Sequence, residues 1–273
     1  MFELGRRAVV ACVLLPSLAR AQSGDSVSKT FYTGRDALFG AGMFVASAGL
    51  SVFDTRIARY FQDTALTHVR AGRALDGTFT HINETTLTVG GLAVYAVGRL
   101  LKMPTVADVS LHVAESVAAA SVTAQVIRGP LGRTRPLNTS PQFDDQYEFH
   151  FMQGFTHFQN RAFPSIHSSS GFAAASAIVA EVHQRDPGAT WFVGVPAYIL
   201  AMTPGLSRMY LGQHWASDIL SGALLGTFYG WRVVQYSHTH ERTPIDRLFL
   251  GPADRDRSGS TASGLKIGWS RTF

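Results

Sequence analysis

Cysteine is nearly absent. The single Cys12 in 273 residues excludes a disulfide framework and any cysteine metal cage within the chain. A basic cluster is missing too: 24 Lys and Arg are dispersed among 19 Asp and Glu, for a net charge of +5. The first 21 residues hold three of the arginines and one glutamate, and the remainder carries 21 basic against 18 acidic residues. Such a balance excludes a nucleic-acid partner and leaves the arginines for a solvated surface or an anionic substrate. The chain also lacks an opening apolar run long enough to span a bilayer comfortably, since 8–18 is short and broken by Pro16. With Arg6-Arg7 before it and Ala19-Arg20-Ala21 after it, the stretch 1–21 reads as a cleavable export signal. The expected location is the periplasm or cell envelope, as a soluble or peripherally attached domain. An integral membrane protein is the alternative. The ten histidines are scattered. His238 and His240 read as solvated coil or strand, and no metal cage or cofactor is expected.

What the chain has is a series of apolar helical segments. They are read at 37–53, at a helix through Ile57, Tyr60, Phe61 and Leu66, and at 86–103, stopped by Pro104. Others follow at 106–127, ended by Gly129-Pro130, at 168–181, and at 191–202, closed by Thr203-Pro204-Gly205. The last runs from about His214 to Tyr236 and repeats Gly222, Gly226 and Gly230 on the face of Asp218, a pattern for close helix packing. The fold class is all-α: a helical bundle at 22–238 with its active site at helix ends. A polar tail occupies 239–273, and 265–273 alternates like a strand. A long irregular segment before Phe163 carries Phe143, Tyr147, Phe149, Phe151, Phe155 and Phe158. These rings either pack inward as a satellite core or cap a site for an apolar substrate.

Three stretches carry chemistry. In the first, Ser207-Arg208, five residues, His214, three residues, Asp218, an arginine lies one loop from a histidine that shares a helix face with a carboxylate. A carboxylate beside an imidazole fixes its tautomer, and an arginine binds oxyanions in bidentate fashion. That combination suits phosphoryl chemistry with a histidine nucleophile. The same residues also suit a helix start with a core histidine and a surface ion pair. Upstream, Arg128, six residues, Arg135-Pro136 and then Pro164-Ser165-Ile166-His167 add two guanidiniums, a hydroxyl, a helix N-terminus and a second histidine.

Taken together, these blocks resemble the type 2 phosphatidic acid phosphatase and vanadium haloperoxidase superfamily. That pattern is Lys, six residues, Arg-Pro; Pro-Ser-Gly-His; Ser-Arg, five residues, His, three residues, Asp. The resemblance covers 106–236. It implies that His214 attacks phosphorus, that Asp218 orients it, and that His167 protonates the leaving oxygen. Arg128, Arg135, Arg208, the Ser165 hydroxyl and the Ile166 amide would hold the phosphoryl oxygens. It implies a metal-independent phosphatase of phosphomonoesters or pyrophosphates, with a phosphorylated small molecule or lipid as partner and association with a membrane surface. Arg128 stands where the pattern has lysine, and Ile166 where it has glycine. A β-branched residue there is expected to resist any left-handed backbone. Two other functions share the pattern: a vanadate-dependent haloperoxidase, and a non-catalytic envelope protein on a decayed site.

Overall fold

Small residues set the architecture. In a computed structural model, the described residues are 30–62, 79 and 81–240, and among them the chain is all-α. The proposed signal at 1–21 and the strand-like end at 265–273 lie outside the described residues. Seven helices follow in order: α1 (Gly34–Ser51), α2 (Asp54–Gln62), α3 (Glu84–Leu100), α4 (Pro104–Leu131), α5 (Ile166–Arg185), α6 (Thr190–Tyr210) and α7 (Ala216–Thr239).

Helix α5 is the hub and packs against α4, α6 and α7, while α3 packs on α4. Its buried face is built of Ser168–Ser170, Gly171 and Ala173–Ala177, which let neighbouring backbones approach closely. The glycine repeat of α7 meets this face. A Cβ on Gly222 would lie 2.4 Å from the Ser165 carbonyl oxygen, and one on Gly226 would lie 2.2 Å from that of Ser169. The stripe read in the sequence is therefore the α5–α7 contact.

Several boundaries differ from the sequence reading. Pro104 opens α4 rather than only stopping α3, because a first-turn proline loses no intrahelical hydrogen bond. Helix α4 runs through Pro130 and stops at Gly132, whose left-handed φ of 63° suits a glycine C-cap. Helix α6 does not end at Thr203-Pro204-Gly205 but continues to Tyr210. Pro204 cannot donate to the Leu200 carbonyl, and the Thr203 hydroxyl donates there instead, at 2.6 Å. Arg208 therefore sits in the last turn of α6, not on a loop. Helix α7 starts at Ala216, so His214 precedes it and does not share a helix face with Asp218.

The short helix α2 joins both helix ends that flank this turn. The Asp54 carboxylate accepts from the Ser217 amide at 2.9 Å, and the Gln62 side chain donates to the Tyr210 carbonyl at 2.8 Å. Large apolar side chains point outward on several helices: Phe44 and Val45 on α1, Val97 and Leu100 on α3, and Phe192 and Ile199 on α6. Among the described residues, Pro187–Tyr210 is one helix long and apolar enough to cross a membrane. Helices α1 and α2, bent by 59°, pass the same test as a pair. Replacing Gly226 by Ala forces the α5–α7 contact apart and should lower stability by about 1–3 kcal/mol, read as a lower denaturation midpoint by circular dichroism.

Candidate active site

The C-terminal end of α4, the N-terminal end of α5 and the turn between α6 and α7 converge at one end of the bundle. Arg128 is in the last turn of α4, and Arg135 follows in the loop; both are buried. Ser165 caps α5, its hydroxyl accepting from the Ser168 amide at 3.4 Å, and Ile166 and His167 open the helix. Ile166 has helical backbone, so its β-branched side chain meets no left-handed φ, and it is packed inside.

The two histidines are held differently. The His214 Nδ1–H donates to the Ala162 carbonyl at 2.7 Å, and Asp218 Oδ2 approaches the same nitrogen only to 3.6 Å. The expected orientation of His214 by Asp218 is thus carried mainly by a backbone carbonyl, which leaves Nε2 as the nitrogen with a lone pair. Asp218 is otherwise engaged, accepting from the Trp215 amide at 2.8 Å and from Arg133 at 2.6 Å. His167 Nε2 accepts from Arg208 at 2.7 Å, so the neutral ring carries its proton on Nδ1.

Three guanidiniums crowd these rings. Burial first, and then the neighbouring Arg208 and His214, push His167 down to about 3. Burial pushes His214 down to about 4 against the opposing pull of Asp218, with Arg135 and Arg128 adding to the fall. Arg135 is lowered to about 9 by burial and then by Arg128 and Arg208. Both histidines are therefore neutral at pH 7 in a concentrated positive field, the field that a phosphoryl group would neutralise. The Nε atoms of Arg128 and Arg135 are buried and meet no hydrogen-bond acceptor among the described residues. Arg135 also donates to Gln213 and lies 3.7 Å over the Phe158 ring. All eight residues singled out in the sequence gather around this one end.

The PAP2 superfamily model matches residues 110–242, a range that contains all eight of them. The segment 110–242, just under half of the chain, carries the PAP2 superfamily signature. A lipid A 4'-phosphatase of Bacteroides thetaiotaomicron is 28% identical over 113 residues, covering 41% of this chain and 46% of the relative. A lipid A 1-phosphatase of Porphyromonas gingivalis is 38% identical over 69 residues, or 25% of this chain and 15% of the relative. The chain thus spans less than half the length of either curated relative. A transmembrane PAP2 type phosphatidylglycerolphosphate phosphatase from Bacillus subtilis is similar in structure over 72% of this chain and 98% of its own, with a TM-score of 0.37 and 19% identity.

The PAP2 motifs omit the residues that hold the site in place. Arg133, between Arg128 and Arg135, turns away from their cluster. Its guanidinium donates to Asp54 at 2.8 Å, to Asp218 at 2.6 Å, to Ser217 at 2.8 Å and to the Gln146 carbonyl at 2.7 Å. Burial alone would lower its pKa, but the Asp218 and Asp54 carboxylates outweigh that and raise it. The Ser217 hydroxyl closes the group by donating to Asp54. The stretch 128–135, with three arginines and no acidic residue, gave no hint of this split, because Asp54 is 79 residues from Arg133. The aromatic segment also divides. Phe163 is buried and Phe143 packs on Trp215, Ala162 and Ala58, while Phe151, Phe155 and Phe158 are exposed, Phe158 lying against Arg135. Replacing Arg133 by Met leaves two carboxylates buried without their cation. The expected cost is about 3–5 kcal/mol, measured by chemical denaturation.

Proposed function

We propose that this chain is a phosphatase that hydrolyses lipid phosphates, either phosphomonoesters or pyrophosphates, through a phosphohistidine and without a metal. The observation that carries the reading is the convergence of Arg128, Arg135 and Arg208 on two neutral histidines, the buried His214 and the half-buried His167. Buried guanidiniums with unused donors, as in Arg128 and Arg135, gain from an anion that completes them, and a phosphoryl group presents the matching oxygens. The Ser165 hydroxyl and the Ile166 amide at the start of α5 would add donors where the helix dipole also favours negative charge.

In this reading His214 Nε2 attacks phosphorus as the bond to the leaving oxygen breaks. The Nδ1–H bond to the Ala162 carbonyl and the nearby Asp218 carboxylate stabilise the imidazolium that forms. Once the bound phosphoryl anion offsets the arginines and draws Arg208 away, His167 takes up a proton at Nε2 and delivers it to the leaving oxygen, and the guanidiniums hold the equatorial oxygens while charge redistributes. Water then attacks phosphorus, the P–N bond breaks, and inorganic phosphate leaves. His167 takes the proton lost by that water. The phosphoryl group and His167 compete for Arg208, so binding would free the His167 ring from its contact with that arginine.

The lipid character of the substrate is supported by the exposed Phe158 ring against Arg135 and by the names of the two curated relatives. The outward apolar side chains of α1, α3 and α6 form surface that water solvates poorly, which favours a membrane-associated chain over the soluble domain expected from composition. An envelope location with the site on the exported side accords with the export-signal reading of 1–21.

The test is phosphate release in EDTA, offering phosphatidic acid, a polyprenyl pyrophosphate and a small aryl phosphate. Release from a lipid substrate that falls at least about a thousandfold in His214→Ala is expected. Equal activity in that variant, or activity strictly dependent on added metal, would overturn the mechanism.

A further inference from the structure

A second cluster of titratable side chains lies inside the bundle, away from the arginines. His112 belongs to the first third of α4, Glu181 to the last turns of α5 and His238 to the end of α7. From His112 to Arg128 the rise along α4 is about 24 Å, and from Asp218 to His238 along α7 it is about 30 Å, so the two clusters occupy opposite ends of the same three helices. Glu181 is fully buried and His112 nearly so. His112 Nδ1 is hydrogen-bonded to Glu181 Oε1, and His238 Nε2 lies 3.1 Å from the same oxygen. One ligand atom from each residue falls within 4.8 Å of the others. The other carboxylate oxygen, Oε2, is ion-paired with Arg185, which fixes the carboxylate and turns Oε1 towards the imidazoles.

We propose that His112, Glu181 and His238 bind a divalent transition-metal ion of the zinc class and clamp α4, α5 and α7 together. Two imidazole nitrogens and one carboxylate oxygen form a set that zinc-class ions take up, with water as a fourth ligand. In a tetrahedral site, ligand atoms about 2.0–2.1 Å from the ion sit about 3.3–3.4 Å from one another, a spacing the 3.1 Å contact already approaches. His238, more exposed than its partners and at the end of its helix, is the ligand with room to adjust and the route by which an ion enters. Arg185 supplies the outer contact that metal-bound carboxylates commonly carry. Binding exchanges the proton shared by His112 and Glu181 for the cation, so affinity rises with pH. The sequence reading placed His238 in solvated coil. It lies instead in α7, and its partners 57 residues away and more are on other helices, a separation that leaves no local metal motif.

The full chain, stripped with EDTA and kept in phosphate-free buffer, would be titrated with Zn2+ alone, followed by calorimetry and by the thermal unfolding midpoint. The expected result is one ion per chain and a midpoint raised by several degrees. Both should be lost in His238→Ala and kept in His240→Ala and His214→Ala. The exposed His238 is chosen because its removal leaves the buried pair of His112 and Glu181 in place. No midpoint shift in the unaltered chain, or the same shift in His238→Ala, would overturn the proposal and leave the cluster as a hydrogen-bonded tie around Glu181. Phosphate release by the same samples in EDTA reports separately on the arginine site, so failure at one site does not count against the other.

Discussion

Arg133 fixes the geometry on which the site depends. Its side chain bridges Asp54 at the start of α2 and Asp218 at the start of α7. Its own carbonyl accepts from the Ala162 amide at 3.0 Å, and the Ala162 carbonyl in turn accepts from His214. The neighbouring Thr134 carbonyl accepts from the Trp215 indole at 2.9 Å, which holds the residue next to His214. One arginine thus positions the histidine through side chain and backbone at once. A buried ion group of this kind adds little net stability over an apolar core, but losing one member strands the rest, so it imposes one arrangement.

The arginines around it show how identical side chains divide their work. Arg133 has its donors spent on carboxylates, a hydroxyl and a carbonyl. Arg128 and Arg135 are also buried yet retain unpartnered Nε atoms; burial and then Arg161 lower Arg128 to about 10, and burial and then Arg128 and Arg208 lower Arg135 to about 9. A saturated arginine is structural, whereas an unsaturated one stores the attraction that an oxyanion releases. The difference comes from which carboxylates the fold places nearby, not from the local sequence.

That is also the line between what was legible and what was not. The three motif blocks lie on contiguous stretches, and their helix-end positions follow from capping residues and prolines, so the residues that gather at this end of the bundle and the α-helical class could be read directly. The spacing of Gly222, Gly226 and Gly230 encoded the α5–α7 contact because helical periodicity is local. Arg133 with Asp54, and Glu181 with His112 and His238, join residues far apart in sequence, and only the packing brings them together. The helix α6 was misjudged at Pro204 because a neighbouring threonine repairs the missing hydrogen bond. His214 was misplaced because Trp215, rather than the histidine, caps α7.

In the proposed reaction the buried His214 becomes phosphorylated. The most direct measurement is rapid acid-free quenching of the chain with a lipid phosphate labelled on phosphorus, followed by peptide mapping. The account predicts an acid-labile, base-stable label on the peptide that contains His214, absent when His214 is replaced by Gln. Turnover without a labelled histidine, or a label that persists in that variant, would contradict it.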